Sequence, residues 1–195
     1  MSFCHAVASI LRSAALGLAA ALACVPVAAQ SWPAKSIRVV VPFAPGGSAD
    51  TLGRVVSAKL SDSFGQPFVI ENRGGAGGLI GSELVAKSAP DGYTLVVSGI
   101  ASHAIGPAMS AKPPFDAVKD FSHIALFGGP PLVLAVHPSL PVKDLKQFIE
   151  LARSKSGGFS YGSPGNGTHG HLFAELLKQR NGIDMQHVPY KGAAM

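Results

Sequence analysis

The architecture of this chain is set by residues 37–48, which read Ile37-Arg38-Val39-Val40-Val41-Pro42-Phe43-Ala44-Pro45-Gly46-Gly47-Ser48. The aliphatic run at 37–41 is typical of a strand that is buried on both faces of a parallel sheet. A proline ends the run, two glycines follow, and Ser48 occupies the expected N-cap position of a helix. Apolar residues then recur at helical spacing, at Leu52, Val55, Val56 and Leu60. The stretch therefore predicts a strand, a glycine loop and a helix.

Strands and helices continue to alternate after this first unit. A strand at 68–70 leads through a glycine cluster into a helix at 79–87. The turn Asp91-Gly92 then precedes a strand at 93–97. Because strands alternate with helices, the sequence predicts an α/β layer fold with a parallel sheet.

The second half of the chain repeats the order of strand, loop and helix. Two apolar runs within 121–136 are separated by glycines and prolines and predict a crossover into a second lobe. A short amphipathic helix at 145–152 and a strand at 159–161 follow. The loop Gly162-Ser163-Pro164-Gly165-Asn166-Gly167-Thr168 then leads into another helix. We predict a first lobe at 30–120 and a partial second lobe at 121–195, each with one glycine loop.

The first thirty residues differ from the rest and predict an export signal. They carry one arginine, one histidine and no acid, and their apolar stretch ends in Val27-Ala28-Ala29. A basic start, an apolar middle and small residues before the cleavage point are the parts of a secretory signal peptide. Pro26 interrupts the apolar run, which is shorter than the roughly 20 residues that a membrane-spanning helix needs. We expect residues 1–29 to be removed and the mature, periplasmic chain to begin at Gln30.

Both cysteines, Cys4 and Cys24, lie within this leader, so a chain that begins at Gln30 has no thiol. Such a chain forms no disulfide and offers no cysteine nucleophile or metal ligand. Residues 21–24 also resemble a loose lipoprotein signal, and lipid attachment at Cys24 is the alternative. The mature chain has 15 Lys and Arg, which is 16 minus Arg12, against 11 acids. Because these charges form no block, they do not indicate nucleic-acid binding.

The two glycine loops are candidate anion sites. A loop between a strand and a helix leaves N–H groups at the helix N-terminus, where the helix dipole favours negative charge. In open α/β sheets, ligands bind beyond the carboxyl ends of the strands, which is where both loops lie. Neither loop contains Arg or Lys, so backbone amides and hydroxyls would hold the anion. We expect a cleft between the lobes, with two simple tight turns as the alternative.

A dinucleotide site is the main rival interpretation of the second loop. Gly165-Asn166-Gly167-Thr168-His169-Gly170 fits the pattern G-x-G-x-x-G between a strand and a helix. The fingerprint also needs an acid about 20 positions further on, at the end of the next strand, to hold the ribose. Asp184 lies near that distance but opens its strand instead of ending it. A dinucleotide-binding, dehydrogenase-like enzyme is therefore the alternative function.

The other chemistry-bearing residues favour neither an enzyme nor a metal site. His169 and His171 are two positions apart and do not share a helix face, and no acid stands beside them at ligand spacing. No serine lies in a G-x-S-x-G elbow, and Ser163 has no orienting acid near it in the sequence. We expect no catalysis, no cofactor and no metal.

Five ordered segments resemble motifs of the Bug or TctC-like substrate-binding proteins of tripartite tricarboxylate transporters. They are Val41-Pro42-Phe43-Ala44-Pro45-Gly46-Gly47-Ser48-Ala49-Asp50, Glu71-Asn72-Arg73-Gly74-Gly75-Ala76-Gly77-Gly78, Asp116-Ala117-Val118-Lys119-Asp120-Phe121, Tyr161-Gly162-Ser163-Pro164-Gly165-Asn166-Gly167-Thr168 and His187-Val188-Pro189-Tyr190-Lys191-Gly192. Gly74 stands where the family has a proline. Gly106 stands where the family has an asparagine, just after a third cleft segment at 98–105. Five motifs in the family's order indicate this family more specifically than a single glycine loop does.

The resemblance implies an α/β protein with a two-lobed, periplasmic-binding-protein-like clamshell, expected to be a monomer. It implies capture of a small carboxylate for TctA- and TctB-like membrane subunits, with no nucleic-acid partner. The two loops would grip the ligand through backbone amides and ordered water, and 98–105 would add a third cleft segment. The candidate ligand-binding residues are Phe43, Gly46, Gly47, Ser48, Asp50, Ser98, Ser102, His103, Ser163, Gly165, Asn166, Gly167 and Thr168.

The resemblance also bears on the length of the chain. Members of this family run to roughly 300 residues, two domains' worth, whereas this chain has 195. It therefore implies that the second lobe is incomplete and that a segment returning to the first lobe is missing. We expect such a fragment to leave apolar surface exposed.

Overall fold

The computed structural model describes residues 31–129, 131–155 and 157–193. The chain divides into two compact units, residues 1–34 and residues 35–195, and every element below belongs to the second unit. The predicted signal peptide, with both cysteines, lies outside the described residues.

A parallel three-stranded sheet forms the first part of the fold. Strand β1 (Ile37–Val41) lies in the middle, between β2 (Phe68–Asn72) and β3 (Thr94–Val96). Both pairings are parallel, and Val39 stands opposite Ile70 on one side and Leu95 on the other. A central strand flanked on both sides is buried, which explains the aliphatic run of β1. The predicted α/β arrangement is confirmed.

Helix α1 (Ser48–Phe64) connects β1 to β2, and α2 (Leu79–Ala86) connects β2 to β3. Ser48 is the first residue of α1 instead of its cap, because Gly47 occupies the N-cap position without a side-chain hydrogen bond. A 3₁₀ turn at Ala76–Gly78 leads directly into α2. After β3, a π-helical turn at Ala101–Ile105 continues into the short helix α3 (Gly106–Met109). These loops and turns follow the carboxyl ends of the strands, where ligands bind in such sheets.

A hydrophobic core lies between the sheet and α1. Ile37, Val39 and Phe68 are buried, and α1 contributes Leu60 to the same cluster. The carboxyl end of β1 is equally enclosed, since Val40 and Val41 have no exposed surface. Burying an aliphatic side chain stabilises a fold by about 1.5–3 kcal/mol. The sheet therefore forms a firm support for the loops at its edge.

The connection at 121–136 contains no helix or strand among its described residues, 121–129 and 131–136. Its apolar side chains face solvent, with Leu126 93% exposed and Val133 81% exposed. The two apolar runs therefore lie in a connection without regular structure, and its role as the crossover between two lobes stays a prediction.

The second part of the fold has two helices and a two-stranded parallel sheet. Its elements are α4 (Leu145–Ser154), β4 (Ser160–Ser163), α5 (His169–Asn181) and β5 (Gln186–Pro189). Buried residues Phe148, Ala152, Ile183 and Met185 form its core. Within the described residues, no helix combines the length and apolar character needed to cross a bilayer.

Candidate functional site

Asp50 holds the first glycine loop in place. Its carboxylate is 3% exposed and accepts hydrogen bonds from the Gly46 amide, Arg54 Nε and Asn72 Nδ2, each at 2.9 Å. Asn72 also donates to the Phe43 carbonyl at 3.1 Å, on the same loop. The hydrogen bond from Arg54 is the main reason that the pKa of Asp50 falls to about 2, with the Gly46 amide and Asn72 adding to it. The loop is therefore fixed to a charged group that is fully paired.

A second carboxylate, Glu71, lies at the end of β2. It forms ion pairs with Arg38 on β1 and with Arg73 just beyond the strand. The hydrogen bond from Arg38 lowers the pKa of Glu71 to about 2, with Arg73 contributing further. The first pair joins the amino-terminal part of β1 to the carboxyl-terminal part of β2.

The second glycine loop is held mainly by its own polar groups. Ser163 Oγ exchanges hydrogen bonds with the amide and carbonyl of Gly165, both at 3.2 Å. The Gly165 carbonyl also accepts from the Thr168 hydroxyl at 2.7 Å and from the Thr168 amide at 3.3 Å. Thr168 is the N-cap of α5 and is 1% exposed. These bonds turn the chain tightly around Asn166, which is exposed.

The third predicted segment, 98–105, is buried only in its middle: Ala101 and Ser102 are buried, whereas residues 98–100 and Ala104 are exposed. Ser102 has no exposed surface, and its hydroxyl bonds to Gly99 and to His103 Nδ1, the latter at 3.0 Å. The His103 ring packs against Phe115 and Phe121, with ring centroids 5.6 Å and 4.6 Å apart. Burial lowers the pKa of His103, and the nearby His123 lowers it further. Ser102 lies close to Gly78 of the glycine-rich segment, because a side chain at Gly78 would meet the Ser102 Cβ at 2.8 Å.

A cleft of about 200 Å³ lies between the glycine-rich segment at 75–78 and the second glycine loop. Apolar walls come from Phe43, Pro164, Pro189 and Tyr190. Gly165 and Asn166 line the same cleft, and Lys191 is the one charged residue in its lining. Cavities of this kind, apolar with a few polar groups, are typical ligand sites.

Several backbone amides of the two glycine loops and of residues 75–77 have no acceptor among the residues that the structure describes. These N–H groups belong to Gly47, Ser48, Gly75, Ala76, Gly77 and Asn166. By contrast, the amides of Gly46, Gly165 and Gly167 donate to Asp50, Ser163 and His171. Of these residues, Gly75, Ala76, Gly77 and Asn166 line the cleft, so their amides are available to an anion bound there.

The two sides of the cleft contact each other through main-chain atoms. The Ala44 amide donates to the Lys191 carbonyl at 3.0 Å. A methyl group on Gly77 would lie 2.6 Å from the Asn166 carbonyl oxygen, and one on Gly192 would lie 3.0 Å from the Ala44 nitrogen. Side chains at these glycines would push the edges apart, so glycine is required for the close approach.

The structure brings some of the predicted residues together and separates others. Phe43, Gly165 and Asn166 line the cleft, whereas Ser48 lines a second, more open hollow of about 440 Å³ with Leu52 and residues 127–129. The remaining predicted residues line neither hollow: Gly46, Gly47, Asp50, Ser98, Ser102, His103, Ser163, Gly167 and Thr168.

Sequence reasoning missed two parts of the cleft lining, residues 75–78 and 189–191. Both lie in motifs that carried the family resemblance, and those motifs were the signal that could have identified them. Within the described part of the chain, no group of three or more potential ligands could hold a metal ion.

The sequence matches one family of transporter receptors. The family model of the TctC group, described as the tripartite tricarboxylate transporter family receptor, matches residues 52–195. Protein BugT of Bordetella pertussis is 39% identical over 169 residues, which are 86% of this chain and 52% of BugT. The chain therefore spans about half the length of this relative.

Two solved structures from Rhodopseudomonas palustris are similar in fold. A protein solved with adipate has a TM-score of 0.80 and 38% identity, and the match covers 84% of this chain and 55% of that one. MatC, solved with bound malate, has a TM-score of 0.76 and 35% identity over 83% of this chain and 55% of MatC. The predicted two-lobed α/β fold is confirmed, and each match covers about half of the solved chain.

Proposed function

Because this chain belongs to the TctC family of tripartite tricarboxylate transporter receptors, we propose that it captures a small carboxylate for a membrane transporter of that type. It acts in the periplasm, as a binding protein and not as an enzyme, and passes its ligand to TctA- and TctB-like membrane subunits. We propose the lobe boundaries 30–120 and 121–195 for the two sides of its cleft.

One observation carries this proposal: residues with unpaired backbone amides line a cleft in which Lys191 is the one charged lining residue. The amides of 75–77 and of Asn166 can donate to a carboxylate, and Lys191 adds a positive charge. The walls around them are apolar and suit a short carbon chain. A cleft of about 200 Å³ fits a small molecule better than a dinucleotide. Two relatives with bound adipate and malate support the same ligand class.

Malate or adipate is expected to stabilise the protein. A ligand that binds only the folded state at 100 times its Kd adds about 2.7 kcal/mol to the free energy of unfolding. The thermal midpoint should therefore rise by several degrees, and calorimetry should give a Kd. The ligand should be recovered unchanged after long incubation. Turnover of either acid, or a rise in the midpoint with NAD and none with carboxylates, would favour the dehydrogenase-like alternative.

Two variants distinguish carboxylate binding by backbone amides from carboxylate binding by a charged side chain. Gly167 has φ +71°, and a side chain there would meet Met109 Sδ at 3.2 Å, so Gly167→Val should distort the loop and abolish binding. Lys191→Met removes only the charge and should weaken binding modestly. The reverse result, tight binding by Gly167→Val and none by Lys191→Met, would show that a cationic side chain, and not the backbone amides, holds the carboxylate.

Export completes the proposal, because a receptor for this transporter works outside the cytoplasm. The break in charge and hydropathy near residue 30 supports it. N-terminal sequencing of protein from the periplasmic fraction should start at Gln30. A lipid-modified start at Cys24 would support the anchored alternative, and an uncleaved cytoplasmic chain would contradict both.

A further inference from the structure

Three aromatic rings stack on one another next to the second glycine loop. The His187 ring lies parallel to His171, with centroids 4.1 Å apart and 16° between the planes. On its other face it stacks on Tyr161, with centroids 4.8 Å apart. The rings come from β5, α5 and β4 respectively, so the stack joins the three elements that surround the loop.

Each histidine of this stack bonds to the loop. His171 Nδ1 accepts a hydrogen bond from the Gly167 amide at 3.2 Å. His187 Nε2 bonds to Ser163 Oγ at 2.7 Å, and the same hydroxyl holds both main-chain groups of Gly165. The two contacts fix the residues on either side of Asn166, whose own amide has no acceptor among the described residues. The histidines therefore fix the two neighbours of a residue that lines the cleft.

We propose that His171 and His187 are positioning residues for the ligand, and that the second glycine loop keeps its binding shape only while His171 is neutral. This inference rests on the proposed carboxylate-binding function. An imidazolium has no acceptor nitrogen, so protonated His171 would direct an N–H group at the Gly167 N–H group. Gly167 would lose its partner, and Asn166 would lose the fixed neighbour on its carboxyl side.

The surroundings of the stack contain charges of both signs. Glu175 on α5 accepts from the Tyr161 hydroxyl at 2.6 Å and from Lys178 Nζ at 3.0 Å. Burial lowers the pKa of His187, the neighbouring His171 and Lys178 lower it further, and Glu175 opposes them. The lowered pKa disfavours protonation of His187, and the Gly167 amide can only donate, so His171 is the ring whose protonation breaks a bond to the loop.

The test combines a pH profile with a variant that keeps the acceptor. The probes are malate and adipate, measured by calorimetry between about pH 8 and pH 5.5, where histidine titrates. Parent affinity should fall roughly five- to tenfold toward low pH, as expected for the loss of one hydrogen bond. His171→Asn offers a carbonyl oxygen in place of Nδ1 and does not titrate, so it should bind well and flatten the profile. His171→Leu should bind weakly at every pH.

His169→Asn is the matched control, because His169 is exposed on the same helix two positions away. It should retain the pH profile of the parent. Any titration of the acid itself affects parent and variants equally, so the difference between profiles reports the histidine. A profile of His171→Asn as steep as that of the parent would overturn the proposal.

A measurement without ligand decides the question even if neither acid binds. In ¹⁵N-labelled protein, the amide resonance of Gly167 should move with pH in the parent and in His169→Asn, but not in His171→Asn. A Gly167 resonance that is insensitive to pH in the parent would also overturn the proposal. Failure of both acids to bind at pH 8, with the Gly167 response intact, would instead count against the proposed function alone.

Discussion

Gly77→Ala should weaken carboxylate binding by on the order of tenfold, about 1.4 kcal/mol. The new methyl carbon would lie 2.6 Å from the Asn166 carbonyl oxygen, a main-chain atom that cannot rotate away. Relief of this contact requires the two edges of the cleft to separate, which moves the Asn166 amide from its place. Calorimetry with malate and adipate would measure the loss.

Gly65→Ala is the control for backbone strain. Both glycines have φ +66°, but nothing lies within 4 Å of a side chain at Gly65, at the far end of α1. A left-handed conformation costs a residue with a side chain about 1–2 kcal/mol, so both variants should lose similar stability from strain. Only Gly77→Ala should lose affinity. Equal affinity in the two variants would show that the close approach at Gly77 does not matter for binding.

Asp50→Ala should lower the free energy of unfolding by about 2–3 kcal/mol. Loss of one partner of a buried charge pair is costly because the remaining polar groups lose their acceptor. Here the Gly46 amide, Arg54 and Asn72 all lose it, although Arg54 is 54% exposed and can be hydrated. Urea unfolding at pH 7 would measure the change. Glu83→Ala removes a half-buried carboxylate from an i, i+4 pair with the exposed Lys87, and should cost less than about 0.5 kcal/mol.

The effect of Asp50→Ala should depend on pH in a defined direction. The hydrogen bond from Arg54 is the main cause that lowers the pKa of Asp50 to about 2, below the value of about 3.9 that is usual for an unfolded chain. The stability contributed by the carboxylate is thus complete above about pH 5 and is lost as the pH falls toward 2. The difference between parent and variant should shrink over this window. A difference that is unchanged at pH 2 would mean that the charge of Asp50 contributes nothing.

Local patterns predicted the elements well, because their causes are local. The aliphatic residues of 37–41 form the buried central strand, and both glycine loops connect a strand to a helix. The exception is the start of α1, where Gly47 and not Ser48 takes the cap position. The Asp50 carboxylate bonds to the Gly46 amide before the helix, so the hydroxyl of Ser48 is not needed there.

The cleft itself was less predictable, since its contacts join residues far apart in the sequence. No local pattern indicates that Lys191 accepts a hydrogen bond from Ala44, or that Gly77 approaches Asn166. The sequence also predicted that Gly167 would offer its amide to the ligand, whereas His171 holds that amide in this structure. The assignment of individual ligand-binding residues remains a prediction.

Main-chain contact between the two edges has a consequence for engineering. Because the Ala44–Lys191 hydrogen bond and the close approaches at Gly77 and Gly192 involve backbone atoms, they do not depend on which side chains line the cavity. Phe43 and Tyr190 contribute to the walls and can be exchanged without removing those contacts. A library of variants for new ligands should randomise these two aromatic positions and keep Gly77 and Gly192 constant, so that selectivity changes while the frame of the receptor persists.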